Sequence, residues 1–412
     1  MKILIVYAGI LQKSGGMQHA CCEMANAFAA RGDEVAIACG GGDLKTSFFP
    51  LHPDTKIYSL ISDSPVLDPG KAVIGRHISP LDKLIREALR AFSKKKFHEW
   101  NEKCKCRIVK PYLKHAFVDF NPDVIIAYNS DAVYYAVAAM EEKIPLIGTN
   151  HVELERAFAE MGEPEKKALN CCKAIQVLLP SQKKIINKFC SGPDCEIIPN
   201  IVPENQRVSD GNHKKLLFVG RLTKAAKRPH LAIQAFEKVA SKFPEWKLEM
   251  WGDSHGSERY LEEMKNDIIS HHMENRVVYR GTTTDIQSVY EESAILVCPS
   301  EHEGWGLVVT EAMSAGLPVV AYKSCAGVNE LVEDGHSGIL VDDGVEPLAA
   351  GLAELMANDT LRKTMGANAH QAMKKFSKDK VWEKWFRLVN ITPFQSHPIR
   401  AWEPHDTRFE SQ

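Results

Sequence analysis

Ile295-Leu296-Val297-Cys298-Pro299-Ser300-Glu301-His302-Glu303-Gly304-Trp305-Gly306-Leu307-Val308-Val309-Thr310-Glu311-Ala312-Met313 decides how the chain is read. Ile295 to Cys298 is a short apolar run of strand type, Gly304 and Gly306 break it, and a helix begins near Leu307 and runs to Ser314. In a strand–turn–helix unit of this kind, backbone N–H groups and the positive end of the helix dipole face the crevice at the strand's carboxyl edge. Open α/β sheets bind anionic ligands at that edge. Glu303 stands before the helix and Glu311 in its early turns, seven residues between them, so two carboxylates approach one ligand from different distances.

The same alternation extends in both directions. Upstream, Lys215–Val219, Lys247–Trp251 and Val277–Tyr279 read as strands, separated by helical stretches at 228–242 and 258–271, with a further helix at 286–292. Downstream, Pro318–Tyr322 reads as another strand. Residues 203–215 carry Pro, Gly, Asn and Asp without periodicity, the composition of a junction between domains. Before that junction the winding occurs a first time. Ile3–Ala8 is strand-like, Gly15-Gly16 opens a helix at Met17–Ala30, and Glu34–Cys39 is a second strand. Strands follow at Asp123–Tyr128, Pro145–Thr149, Ala174–Leu179 and Glu196–Ile198, with a helix at Asp131–Glu142. Strands that alternate with helices imply parallel sheets, so the expectation is two doubly wound α/β domains, 1–200 and 201–377.

A length of 412 residues exceeds what one hydrophobic core usually supports, in keeping with two domains. Lys plus Arg total 51 against 53 Asp plus Glu, a formal charge of -2, which disfavours nucleic acid as a partner. Eleven cysteines, two adjacent pairs among them and no Cys-x-x-Cys, argue against structural zinc and a disulfide framework. Reduced thiols in a cytoplasmic protein are the expectation. The apolar opening enters Lys13-Ser14-Gly15-Gly16 without a cleavage site, so it reads as a buried strand and not as a signal peptide. No stretch approaches the roughly 18 to 20 apolar residues that span a bilayer.

Two regions fall outside the alternation: 40–81, where prolines are frequent, and the polar tail 393–412, both expected to be irregular. Lys83 to Lys114 carries eleven Lys or Arg against three Glu. A solvated helix face is one reading; a basic patch for an anionic membrane surface or a pyrophosphate-bearing acceptor is the other.

With its flanks, the opening stretch resembles the family 4 glycosyltransferases of the GT-B fold. Glu303 and Glu311 match the family's Glu-x7-Glu element, Ala315-Gly316-Leu317-Pro318-Val319-Val320-Ala321 follows it, and Gly327-Val328-Asn329-Glu330-Leu331-Val332 and Asp334-Gly335-His336-Ser337-Gly338 come next. Phe218-Val219-Gly220-Arg221-Leu222 with Lys227 is similar to the family's Gly-Arg-Leu segment and its lysine, although the spacing of six leaves Lys224 as an alternative and Arg228 as a weaker one. Gly15 and Gly16 match the family's glycine-rich loop, and His151 stands after a strand where members carry a histidine.

The resemblance implies two Rossmann-like domains facing each other across a cleft, with a terminal helix at 378–392 crossing back to the first. It implies a retaining transfer of a sugar from a nucleotide diphosphate sugar to an acceptor hydroxyl of a glycan or lipid-linked molecule in cell-surface polysaccharide, lipopolysaccharide or glycolipid synthesis. A UDP-sugar is favoured as co-substrate and no resident cofactor is expected. Glu303, His151, Arg221 and Lys227 are the implied catalytic residues. Donor binding falls on Gly15, Gly16, Gly220, Arg221, Lys227, Asp253, Arg280, Glu303, Gly304, Trp305, Gly306, Leu307, Val308 and Glu311. A guanidinium and an ammonium can neutralise a departing diphosphate without a metal, and no Asp-x-Asp occurs in the sequence, so a metal-independent reaction is expected. An epimerase or phosphorylase on the same fold, and a non-catalytic subunit, stay open as alternatives. The implied location is the cytoplasm, with peripheral contact at the inner membrane face.

Overall fold

A computed structural model describes residues 1–12, 15–40, 47–61, 80–151, 154–205, 207–254 and 256–390. Seven strands form the first sheet: β1 (Lys2–Tyr7), β2 (Glu34–Cys39), β3 (Lys56–Ser59), β4 (Val124–Tyr128), β5 (Leu146–Thr149), β6 (Ala174–Val177) and β7 (Asp194–Ile197). Six form the second: β8 (Lys215–Val219), β9 (Lys247–Trp251), β10 (Val277–Gly281), β11 (Ile295–Cys298), β12 (Val319–Tyr322) and β13 (Gly338–Val341). The orders are β3-β2-β1-β4-β5-β6-β7 and β10-β9-β8-β11-β12-β13, and every pairing is parallel. Each sheet therefore reverses direction once, between β1 and β4 and between β8 and β11, the doubly wound order in which ligands bind at the reversal.

A central parallel strand is covered on both faces, so it reads as an unbroken apolar run and not as an alternation. β1 shows the consequence. Ile3, Leu4, Ile5 and Val6 are all 0% exposed. Leu4 and Val6 enter a core with Leu113, Phe117 and Tyr135, whereas Ile3 and Ile5 enter one with Met24, Phe28 and Trp382. That second face is closed by two helices far apart in sequence, Gly16–Ala30 and Lys378–Asn390. Phe28 stacks edge-on against Trp382 with ring centroids 6.3 Å apart, and lies 5.7 Å from Phe386, over which the Arg31 guanidinium sits at 4.7 Å.

Several elements differ from the sequence reading. The stretch 40–81 contains β3, which was not expected; it is an edge strand of four half-buried or exposed residues, too short to show a pattern. β6 stops at Val177 because Leu178 and Leu179 leave the first sheet and pack in the core of the second lobe. The short helices Leu154–Glu160, Glu163–Leu169 and Pro180–Phe189, strand β13, and helices Val345–Ala357 and Asp359–Met373 were not read from the sequence. The basic stretch forms two helices, Pro80–Phe92 and Lys94–Phe120, separated at Ser93, whose side chain accepts from Lys96 N and caps the second. The tail 393–412 lies outside the described residues. All eleven cysteines are free, and ten are buried as small apolar side chains. Among the described residues no helix is long and apolar enough to cross a membrane.

Trp382→Ala should remove most of the grip of the last helix on the first lobe. We expect a loss of about 3 kcal/mol or more, as for other large-to-small aromatic truncations in a core, read as a fall in the urea midpoint with the urea m-value unchanged.

Candidate active site

The loops that leave β8 and β11 meet at the reversal of the second sheet. Gly252, after β9, has φ +142°, and a Cβ there would lie 1.9 Å from the Gly220 carbonyl oxygen, so the strands can end side by side only without a side chain at 252. Beyond Gly220 the chain places Lys227 Nζ 2.5 Å from Glu303 Oε1, with the two side chains 17% and 14% exposed. Arg228, one residue on, donates from Nε to the Pro299 carbonyl at 2.8 Å and lies 5.1 Å from the Tyr322 ring, fixing one loop to the other. Glu303 N donates to the Ala326 carbonyl at 3.0 Å; a Cβ on Gly327 (φ +88°) would strike the Glu303 carbonyl at 2.4 Å. Arg221 and Lys224 are exposed and neither enters an ion pair among the described residues. The fold thus brings Lys227, not Lys224, to Glu303.

Gly306, with φ +84°, turns the backbone into the helix Leu307–Ser314, whose first N–H groups have no partner within the helix. Trp305 is 3% exposed and packs edge-on against Phe376 at 5.0 Å, so only its backbone faces the loop. Val308 is half-buried against the second-lobe core. Glu311 accepts a 2.8 Å hydrogen bond from the buried Tyr290 hydroxyl at Oε2; burial pushes its carboxyl above the usual range. Arg280 is engaged elsewhere: its guanidinium donates to Glu249 Oε1 at 2.8 Å on the neighbouring strand. Asp253 offers its carbonyl to Leu222 N at 2.8 Å, beside the Gly252–Gly220 crossing.

The first lobe faces this apparatus with its own sheet reversal. The helix after β1 starts at Gly16, where a Cβ would lie 3.0 Å from Leu307 Cδ1, so the two lobes touch there. Lys13 and Ser14 of the same loop lie outside the described residues. Gly16, His19, Tyr128, His151, Leu307 and Glu311 line one cavity of about 120 Å³ between the lobes. The His151 ring stacks on Tyr128 at 5.0 Å and 4°, and its buried Nε2 has no hydrogen-bond partner among the described residues. Burial lowers its pKa to about 4, which keeps the ring neutral. His19, Tyr290 and Gln182 were not read as site residues. His19 stands one helical turn after Gly16, a spacing that places both on one face; Tyr290 and Gln182 carry no signal in the sequence and are identified by burial and partners alone.

The depressed His151 pKa has a signed consequence. The unfolded ring titrates near 6.5 and the folded one near 4, so stability is complete above pH 6.5 and is lost as pH falls toward 4. The shift corresponds to roughly 3 kcal/mol. In urea melts at pH 7.5, 5.5 and 4, the difference in stability between the wild type and His151→Gln should shrink by about that amount.

Comparison with known proteins agrees with this arrangement. Residues 203–372 match the family model described as glycosyl transferases group 1. An exopolysaccharide phosphotransferase of Streptomyces coelicolor is 27% identical over 299 residues, covering 71% of this chain and 31% of that protein. An uncharacterised glycosyltransferase of Haemophilus influenzae is 30% identical over 221 residues, covering 53% of this chain and 61% of the relative. The chain thus spans 31% and 61% of the length of these two curated relatives. Among solved structures, HepE of Anabaena in complex with UDP superposes with a TM-score of 0.69 at 20% identity, covering 95% of this chain and 100% of that one. The two facing parallel-sheet lobes are a GT-B fold, and the second lobe carries a glycosyl transferases group 1 domain.

Proposed function

We propose that the chain transfers a sugar from a nucleotide diphosphate sugar, a UDP-sugar being favoured, to an acceptor hydroxyl in the synthesis of cell-surface polysaccharide, lipopolysaccharide or glycolipid. The transfer retains anomeric configuration and needs no metal. The observation that carries this reading is the Lys227–Glu303 pair beside the exposed Arg221 and the amino end of the Leu307 helix, all on one wall of the inter-lobe cleft. The UDP held by the fold relative HepE supports the donor class.

In this reading Arg221 and Lys227 balance the charge of the departing diphosphate, aided by the helix dipole and by the free N–H groups at 304–308. Lys227 is held by Glu303 in the structure, so donor binding exchanges one anionic partner of the ammonium for another. Glu303 then faces the sugar, where its charge stabilises positive character at the anomeric carbon. Glu311 is fixed through Oε2 by Tyr290, which leaves Oε1 to accept ribose hydroxyls. His151 is neutral, so it offers its ring N–H or lone pair to a sugar hydroxyl without adding repulsion to the developing cation. Asp253 and Arg280 fall beside the nucleotide end, with Arg280 held back by Glu249.

For the acceptor we place an anionic membrane surface against residues 83–114, with the enzyme working from the cytoplasm on a glycan or lipid-linked substrate. Leu84 and Phe92 of the helix Pro80–Phe92 are 70% and 89% exposed and lie on one side of it, with Arg86 and Arg90 on the other. Lys94 and Lys96 follow and enter no ion pair among the described residues. An exposed apolar face opposite a cationic one suits the boundary between headgroups and acyl chains.

Two measurements test these readings. With a radiolabelled UDP-sugar and an added glycan acceptor, Glu303→Gln and Arg221→Ala should each lower turnover by about two orders of magnitude, roughly 3 kcal/mol of barrier, and EDTA should leave the wild-type rate unchanged. Isomerised donor in place of glycosylated product would indicate an epimerase. Phosphatidylglycerol vesicles should sediment the protein at low salt, and Phe92→Asp should weaken this; protein left in the supernatant removes the membrane reading.

A further inference from the structure

The helix Pro180–Phe189 belongs to the first lobe by sequence and sheet order, yet its amino end is bonded to the second lobe at two points. Gln182 is 5% exposed. Its Oε1 accepts from Leu178 N at 2.8 Å, and its Nε2 donates to the Gly304 carbonyl at 2.8 Å. One residue earlier, Ser181 donates from its backbone N to Glu330 Oε2 at 3.1 Å and from its hydroxyl to Glu330 Oε1. Leu178 and Leu179, just before, are buried in the second-lobe core. The amide of Gln182 therefore has one end fixed at the end of β6 and the other on the residue next to Glu303.

That connection bears on the chemistry because the other anchors of the loop 299–306 all come from within the second lobe: Arg228 at Pro299, the Ala226 carbonyl at Glu301 N, Ala326 at Glu303 N, Lys227 at the Glu303 carboxylate and Phe376 at Trp305. Gly304 is the point at which the first lobe holds it. A glycine whose carbonyl has no partner can turn about its own φ and ψ, and at Gly304 that freedom reaches Glu303, the residue before it, whose carboxylate is then less firmly aimed at the donor sugar.

We propose that Gln182 is a positioning residue for Glu303: it fixes the 304–305 peptide, and with it the backbone that follows Glu303, only when the lobes are together, so the sugar-facing carboxylate is correctly aimed in the closed form and less so in the open one. This rests on the glycosyl-transfer reading above. Nucleotide binding rests mainly on Arg221, Lys227 and Glu311 of the second lobe and depends little on Gln182. Transfer does, and an open site with a loosely aimed Glu303 also admits water to the donor.

Gln182→Ala and Gln182→Glu separate this role from simple packing. Alanine loses both hydrogen bonds. Glutamate keeps an acceptor for Leu178 N but sets a carboxylate oxygen against the Gly304 carbonyl. The expected result is UDP affinity by calorimetry within about twofold of wild type for both, kcat for transfer from UDP-glucose, UDP-galactose or UDP-N-acetylglucosamine lowered by about tenfold or more with donor KM little changed, and a larger fraction of donor lost to hydrolysis. Glutamate should be at least as damaging as alanine. Wild-type kcat in the glutamate variant, or impairment in alanine alone, overturns the proposal, since a residue that merely packs would tolerate glutamate better. UDP binding and a cooperative melt certify the fold; if the alanine variant does not fold, the glutamate variant decides. Glu303→Gln is assayed alongside. A wild type no more active than Glu303→Gln overturns the transfer reading itself, whereas active wild type, inactive Glu303→Gln and unaltered Gln182 variants overturn only the role of Gln182.

Discussion

A lysine and a glutamate held 2.5 Å apart in a half-buried cleft are the arrangement on which the rest of the site depends. Neither charge is stable there alone, because partial desolvation penalises an unpaired ion more than it penalises a pair. Each is brought by a separate loop, one after β8 and one after β11, so the pair exists only where the sheet reverses and those strand ends diverge. Gly252 and Gly327 permit the approach, and Arg228 ties one loop to the other. In this lobe topology, glycine placement and electrostatics are one problem.

The opposite wall uses burial in place of charge. There His151, stacked on Tyr128, is kept neutral, and across from it in the second lobe the Glu311 carboxyl, held by the Tyr290 hydroxyl, is pushed above its usual range by burial. The cleft therefore presents an exposed cation at Arg221 and an uncharged ring at His151.

Most of the sheet framework was legible because buried parallel strands such as Ile3–Val6 and Ile295–Cys298 are plain apolar runs between glycine and proline breaks. The elements that escaped are those whose partners are distant. β3 is too short and too exposed to carry a pattern, and Leu178-Leu179 reads as more strand when it is an insertion into another core. In the site, Glu303, Lys227 and Glu311 were visible as motif positions, but which lysine meets Glu303 was not, since loop geometry and not spacing brings Lys227 there. Arg280 shows the converse: a cation in a matching segment is occupied by Glu249, a partner 31 positions away. Trp305 stands inside the most specific stretch and spends its side chain on Phe376.

The return of Lys378–Asn390 to the first lobe affects how the molecule is made as well as how it stands. Phe28 and its neighbours lie on the first helix of the chain, but their apolar cover, Trp382 and Phe386, is synthesised some 350 residues later. On the ribosome the nascent first lobe has one greasy face open throughout translation of the second. That interval leaves the early half of the chain waiting on a segment made after the second lobe, and the emergence of Lys378–Asn390 is the event that covers its apolar face.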